Sequence, residues 1–150
     1  MRKNFLHILS TLLLLLLLQQ GCATIHKAPQ THDAPAVVEK LITTRKSWDG
    51  TPLPAYPQGL PEVTLLRITI PAGTRLHTHS HPVINAGILL SGNLTVITTE
   101  GKTLHLKAGD PIVEVVNTLH YGINEGNIPA EIVVFYAGVA GTPITVLEAQ

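Results

Sequence analysis

Short apolar runs closed by glycine, proline or asparagine are the feature that most constrains how this chain can fold. From residue 62 onward such turn signals recur about every 8–12 residues, an interval typical of an all-β sandwich or barrel. The runs between them are rich in Val, Ile, Leu and Thr, which favours strands over helices. The predicted strands are residues 37–45, 63–70, 76–81, 84–90, 94–99, 103–107, 112–116, 120–123, 130–137 and 144–147.

The first 22 residues are predicted to be a signal peptide rather than part of the fold. The apolar run Phe5–Leu18 follows two basic residues and is shorter than the ~20 residues of a membrane-spanning helix. It leads to Gly21 and Cys22, the only cysteine. A small residue followed by cysteine resembles a bacterial lipoprotein signal, in which that cysteine carries lipid, although Gln19 stands where the signal prefers an aliphatic residue.

Cleavage after Ala23 and export without a lipid is the alternative, since Gly21-Cys22-Ala23 also forms a small-x-small site. Residues 23–35 are expected to be a tether and residues 36–150 the folded domain. The expected location is the periplasmic face of a bacterial membrane, such as the outer membrane, with the lipid at Cys22 as the only membrane contact. The alternative is a soluble periplasmic or secreted protein.

The overall charge gives no indication of a nucleic-acid partner. The chain has 10 basic and 10 acidic residues, and without Arg2 and Lys3 of the leader 8 basic residues face 10 acidic ones. Nucleic-acid binding requires a basic surface. The 150 residues suit a single domain.

Three histidines at two-residue spacing form the most chemically informative stretch. His77, His79 and His81 share a parity with Asn85, and residues two apart on a strand point to the same face. Imidazole is the commonest neutral metal ligand. The row predicts a metal site, with loose adventitious binding by a His-rich tract as the alternative.

The spacing around this row resembles the first motif of the cupin superfamily, G-x5-H-x-H-x3,4-E-x6-G. Gly73, His79, His81 and Gly92 match it, and Asn85 stands where glutamate is usual. The second cupin motif, G-x5-P-x-G-x2-H-x3-N, is matched by residues 109, 120 and 124, with Val115 and Asn117 replacing its proline and glycine.

The resemblance implies a small antiparallel jelly-roll barrel, or double-stranded β-helix. It also implies that His79, His81 and His120 hold one divalent ion, Fe, Mn, Ni, Cu or Zn, inside the barrel. Asn85 would complete or tune this ligand set with a neutral amide oxygen. Three neutral imidazoles leave the ion positively charged, which favours an anionic small-molecule ligand.

Two further residues are candidate proton-transfer groups. Glu114 lies in an apolar stretch, where a carboxylate is costly to bury unless it is paired or metal-bound. Its alternatives are to face solvent or to pair with Arg67 or Arg75. His77 is an acid–base candidate, an alternative ligand or simply solvated, whereas His105 is expected to be an ordinary exposed strand residue.

The function that these features predict is that of a metal-dependent enzyme of dioxygenase or isomerase type, acting on a small molecule. The alternative is a non-catalytic module that binds a metal or a small ligand. The resemblance further implies a homodimer, because many small cupins pair through sheet edges.

Overall fold

The computed structural model describes residues 35–149. The signal peptide, Cys22 and all but the last residue of the predicted tether lie outside them. By its contacts the chain divides after Val38, and every strand of the described residues lies in the unit that begins at Glu39. Among the described residues no helix is long and apolar enough to cross a membrane.

The described part of the chain contains nine strands, which pair in antiparallel fashion, and this confirms the all-β prediction. They are β1 Pro61–Ile70, β2 His79–Ser80, β3 Ile84–Ser91, β4 Asn93–Thr98, β5 Thr103–Lys107, β6 Pro111–Val113, β7 His120–Ile123, β8 Ala130–Val139 and β9 Val146–Leu147. One sheet has the order β1-β8-β3-β6 and the other β5-β4-β7-β2-β9. Crossing of the chain between two sheets in this way is the jelly-roll arrangement.

The four-stranded sheet is organised around β8, which pairs with β1 over its whole length, from Pro61 opposite Val139 to Ile70 opposite Ala130. On its other side β8 pairs with β3, and Asn85 lies opposite Tyr136. Alternate residues of these strands are buried and face the second sheet.

The five-stranded sheet brings the two histidine-bearing segments side by side. His79 of β2 pairs with His120 of β7, and His120 also pairs with Thr98 of β4. Between the sheets lies a core of buried aliphatic side chains to which Trp48 adds its indole. Burial of this apolar surface is the main contribution to the stability of the domain.

The sharp turn from β3 to β4 needs a glycine. Gly92 has a φ of 74°, and a Cβ atom there would lie 2.7 Å from the carbonyl oxygen of Pro129. Any other residue would therefore clash with the backbone of the neighbouring turn.

Four strand predictions were wrong or too long. Of residues 76–81 only β2, His79–Ser80, is a strand, and of residues 144–147 only β9, Val146–Leu147. Residues 37–45 form no strand, and Leu41 and Ile42 are exposed, so no partner strand satisfies their backbone. The strand predicted at residues 112–116 ends at Val113. Residues 112–115 are all buried, so the chain there has left the alternation of a half-exposed strand.

The segment before β1 packs against the rest of the domain. Trp48 donates its backbone N–H to the Val113 oxygen at 2.9 Å, and Lys102 forms an ion pair with Asp49 at 3.0 Å. These contacts hold the indole of Trp48 beside the segment that carries Glu114.

Candidate metal centre

Three histidines converge on one point between the sheets. The ring centroids of His79, His81 and His120 are 4.6–5.1 Å apart, and one nitrogen of each lies within 4.8 Å of the others. The three side chains are positioned to bind a metal ion.

Backbone carbonyls fix the orientation of all three rings. Nδ1 of His79 lies 2.7 Å from the backbone oxygen of His77, and Nδ1 of His81 lies 2.8 Å from that of Ile144. Nδ1 of His120 lies 2.9 Å from the backbone oxygen of Thr118. A carbonyl can only accept, so each Nδ1 carries the proton and each Nε2 keeps its lone pair. This is the arrangement that orients metal-bound histidines in proteins.

Burial keeps the imidazoles neutral. It lowers the pKa of His79, His81 and His120 below the ordinary 6.5, and that of His81 falls to about 4. Neutral imidazole is the form that binds metal, so the set is ready for an ion at physiological pH without first losing protons.

Glu114 is buried beside the histidines. Its Oε2 lies 3.6 Å from Nε2 of His120, and neither atom has a hydrogen-bond partner. The alternatives of a solvent-facing carboxylate or of a pair with an arginine are wrong, because Arg67 bonds Glu131 at 2.9 Å and Arg75 stacks on Tyr121.

The carboxyl of Glu114 is harder to ionise than that of an exposed glutamate. Burial raises its pKa to about 7, against the lowering effects of His79 and Trp48. The indole Nε1 of Trp48 is close enough to act on the pKa, although it does not meet hydrogen-bond geometry.

Asn85 lies on the inner face of β3 and is only 1% exposed. Its Oδ1 and Nδ2 atoms have no hydrogen-bond partner, which is costly for a buried amide. The side chain does not belong to the cavity wall. Its predicted role as a ligand stays a prediction.

A cavity of about 210 Å³ opens beside the three histidines. Its wall is mainly aliphatic, and its polar side chains are the three histidines, Glu114, Tyr136 and Thr145. At about 30 Å³ per water molecule, the space suits a small molecule rather than a polymer.

His77 does not join its neighbours in the row. It is exposed and opens onto a separate outer groove with Arg75 and Thr78. The pairing shifts by one residue between Arg75 opposite Ile123 and His79 opposite His120, so the alternation assumed for the row is interrupted. Its acid–base role gains no support from this placement, and His105 is exposed as expected.

Sequence reasoning missed Tyr136 and the segment that carries Thr145. The ring of Tyr136 packs edge-on against His81 with centroids 5.5 Å apart, and burial together with Glu114 raises its pKa to about 12. Thr145 places its Oγ1 3.4 Å from Nδ1 of His81. Position in an apolar strand was the only signal in the sequence for Tyr136.

One of the two departures in the second motif, Asn117, has a simple structural explanation. Asn117 has a φ of 57°, a left-handed conformation that asparagine tolerates better than most residues. Its N–H donates to the His81 oxygen at 2.8 Å, which ties the two motifs together. Asn124 is structural, since its Nδ2 donates to the oxygens of Ile70 and Ile128.

The strand order, the central histidines and the turn at Asn117 agree with a known family, whose description "Cupin domain" matches residues 66–136. This stretch is similar to a cupin domain. No curated protein matches the chain.

Solved structures share the same fold. A protein with a double-stranded β-helix domain from Klebsiella pneumoniae is 21% identical, with a TM-score of 0.51 over 63% of this chain and 89% of its own. A DMSP lyase from Ruegeria pomeroyi is 20% identical, with a TM-score of 0.51 over 67% of this chain and 49% of its own.

An oxalate decarboxylase from Lactobacillus farciminis is 19% identical, with a TM-score of 0.50 over 57% of this chain and 26% of its own. This chain thus corresponds to only part of each of the two enzymes. At these identities the likeness establishes the double-stranded β-helix fold and nothing finer.

Proposed function

We propose that this cupin domain binds one divalent transition metal, Fe, Mn, Ni, Cu or Zn, and acts as a metal-dependent enzyme of dioxygenase or isomerase type. The ligands are the Nε2 atoms of His79, His81 and His120. The observation that carries the proposal is the common orientation of the three rings, each held by a carbonyl at Nδ1 with the ligand nitrogens clustered.

A divalent ion with open positions would polarise a ligand oxygen or lower the pKa of a bound water. The chain's own contribution is the small, mainly apolar cavity, which limits the size of the substrate. Neutral imidazoles favour a substrate with an anionic or otherwise electron-rich group at the ion and an apolar remainder against Leu66, Leu76 and Val134.

A non-catalytic binding module is the second candidate. It is favoured by the aliphatic wall of the cavity, which offers few side chains for proton transfer besides Glu114. Such a module would take up the metal or a small ligand in the same place and release it unchanged.

Metal analysis of tag-free protein is the deciding experiment. We expect about one equivalent of metal in the wild type, and none in the variants His79→Ala, His81→Ala and His120→Ala. The matched control His105→Ala changes an exposed histidine and should keep the metal. A wild type without stoichiometric metal would contradict the proposal.

Turnover then separates the two candidates. Oxygen uptake and product formation should be screened with phenols, diketones and thiol acids. Activity that disappears in the three histidine variants supports the enzyme, whereas tight metal binding without any turnover supports the binding module.

We also propose that the protein is exported and lipidated at Cys22, which places it on the periplasmic face of a bacterial membrane. The leucine-rich run followed by the sole cysteine supports this. Mass spectrometry of the mature N-terminus tests it, and an unmodified chain beginning at Thr24 would contradict lipidation.

A homodimer is proposed as well. It is supported by β1, an edge strand of ten residues whose Val63 and Leu65 are 64% and 65% exposed, since a long apolar edge invites pairing. Sedimentation analysis tests it, and a monomer across the micromolar range would contradict it.

A further inference from the structure

A divalent ion on three neutral imidazoles keeps its full charge in a cavity whose wall is mainly aliphatic. Placing an uncompensated charge in such surroundings is costly. A nearby anionic group would reduce that cost, and in the cavity wall only one side chain can supply a negative charge, that of Glu114.

The distance between Glu114 and His120 is informative. The 3.6 Å between Oε2 and Nε2 exceeds the roughly 2.7–2.9 Å of a charge-assisted hydrogen bond. Two ligands of one ion, with bonds of about 2.1 Å and angles of about 90–109°, have donor atoms about 3.0–3.4 Å apart. The pair is therefore spaced more like two ligands than like a hydrogen-bonded couple.

Both atoms of this pair are buried and unpartnered. A lone pair left unsatisfied in the interior costs free energy, and two such lone pairs side by side are both satisfied when one cation lies between them. No other described acidic residue is buried. Glu114 lies outside the cluster whose ligand atoms are all within 4.8 Å of one another, so it would reach the ion from the side of His120.

Asn85 does not serve this purpose. Its amide is neutral, and its side chain is absent from the cavity wall. The backbone N–H of Glu114 donates to the Asn85 oxygen at 3.2 Å, so the two positions are neighbours in adjoining segments. Of the two side chains at these neighbouring positions, only that of Glu114 can supply a negative charge.

We propose that Glu114 is the fourth ligand of the metal centre and its only anionic one. This inference rests on the proposed function, because it requires an ion bound to the three histidines. The ligand set is then three imidazoles and one carboxylate, with the carboxylate supplied by the segment that follows β6. This set leaves the divalent site with a net charge of +1.

Cobalt binding to the metal-stripped, tag-free protein tests the proposal. In Glu114→Gln the side chain keeps its shape but loses its charge, and we expect the Co(II) dissociation constant to rise at least tenfold. The visible absorption spectrum of the cobalt centre should also change, because one ligand is replaced. Glu131→Gln, a carboxylate of β8 that pairs with Arg67, is the matched control and should leave both unchanged.

The outcomes distinguish this inference from the proposed function. A wild type that binds no Co(II) contradicts both. In a second outcome the wild type binds Co(II) and His120→Ala does not, while Glu114→Gln keeps the affinity within twofold and the spectrum unchanged. This outcome overturns only the role of Glu114. Loss of turnover in Glu114→Gln at unchanged affinity likewise overturns it and identifies a proton-transfer group.

A measurement on the wild type keeps the proposal testable if Glu114→Gln fails to fold. The difference infrared spectrum on Zn(II) addition, with ¹³C-labelled glutamate as a reference, should show the carboxyl of one glutamate becoming a bound carboxylate. A spectrum with no isotope-sensitive carboxylate bands would overturn the proposal.

Discussion

The histidines that lie between the two sheets and the histidines exposed on the surface have opposite surroundings. His79 and His120 lie side by side between the sheets, with Nδ1 held by a carbonyl and Nε2 directed to a common point. His77 and His105 are exposed, and His105 meets only the hydroxyl of Thr95 at 3.0 Å. The comparison shows that a metal site is made by burial and a fixed ring orientation, not by histidine content.

The largest expected difference between the two groups is metal-linked stability. A ligand that binds only the folded state at 1,000 times its dissociation constant stabilises it by about 4 kcal/mol. Zn(II) at that excess should raise the unfolding midpoint of the wild type and of His77→Ala, and leave that of His79→Ala unchanged. Equal responses of these two variants, two residues apart, would break the comparison.

Acid should destabilise the metal-free protein through the inner histidines. The pKa of His81 is about 4 in the folded state against 6.5, so the unfolded state takes up the proton first. The stability present above pH 6.5 is lost as the pH falls towards 4, by about 3 kcal/mol for this residue. Glu114, whose pKa is raised to about 7, acts in the opposite sense.

Chemical denaturation from pH 7 to pH 4 checks this. His81→Gln should show a flatter decline of the unfolding free energy than the wild type, whereas His105→Gln should decline as steeply as the wild type. The same slope in all three proteins would show that burial does not keep the inner ring neutral.

The turn that leads into the inner histidine of β7 should be sensitive to backbone conformation. Asn117 has a φ of 57°, so Asn117→Val should lower the unfolding free energy by about 1–2 kcal/mol. Asn117→Gly should be near neutral, because glycine adopts this conformation freely. Thermal unfolding of the metal-free variants measures both, and an equal loss in the two would point to the lost side chain instead.

The smallest effect on the unfolding free energy is expected at the exposed histidine His105. His105→Ala removes one part-buried hydrogen bond to Thr95 and should lower the unfolding free energy by no more than about 1 kcal/mol, without changing metal affinity. A larger loss, or weaker metal binding, would mean that the outer histidines also contribute to the site.

The sequence by itself determined the strand-and-turn architecture and three of the central side chains. Regular turn signals and alternation are local properties, and they persist in the structure as β1, β3, β5, β7 and β8 close to their predicted bounds. The spacing of the two motifs selected His79, His81 and His120, which do converge.

The tertiary structure decided the rest, because it depends on contacts between distant segments. His77 faces outward because the pairing shifts by one residue before His79, which no alternation rule can foresee. Glu114 faces inward because the chain leaves β6 at that point. Tyr136 meets His81 only because the sheet that contains β8 packs against the sheet that contains β2, which ends one residue before His81. Periodicity fixes which residues share a face of one strand, whereas the environment of a side chain depends on which strands become neighbours.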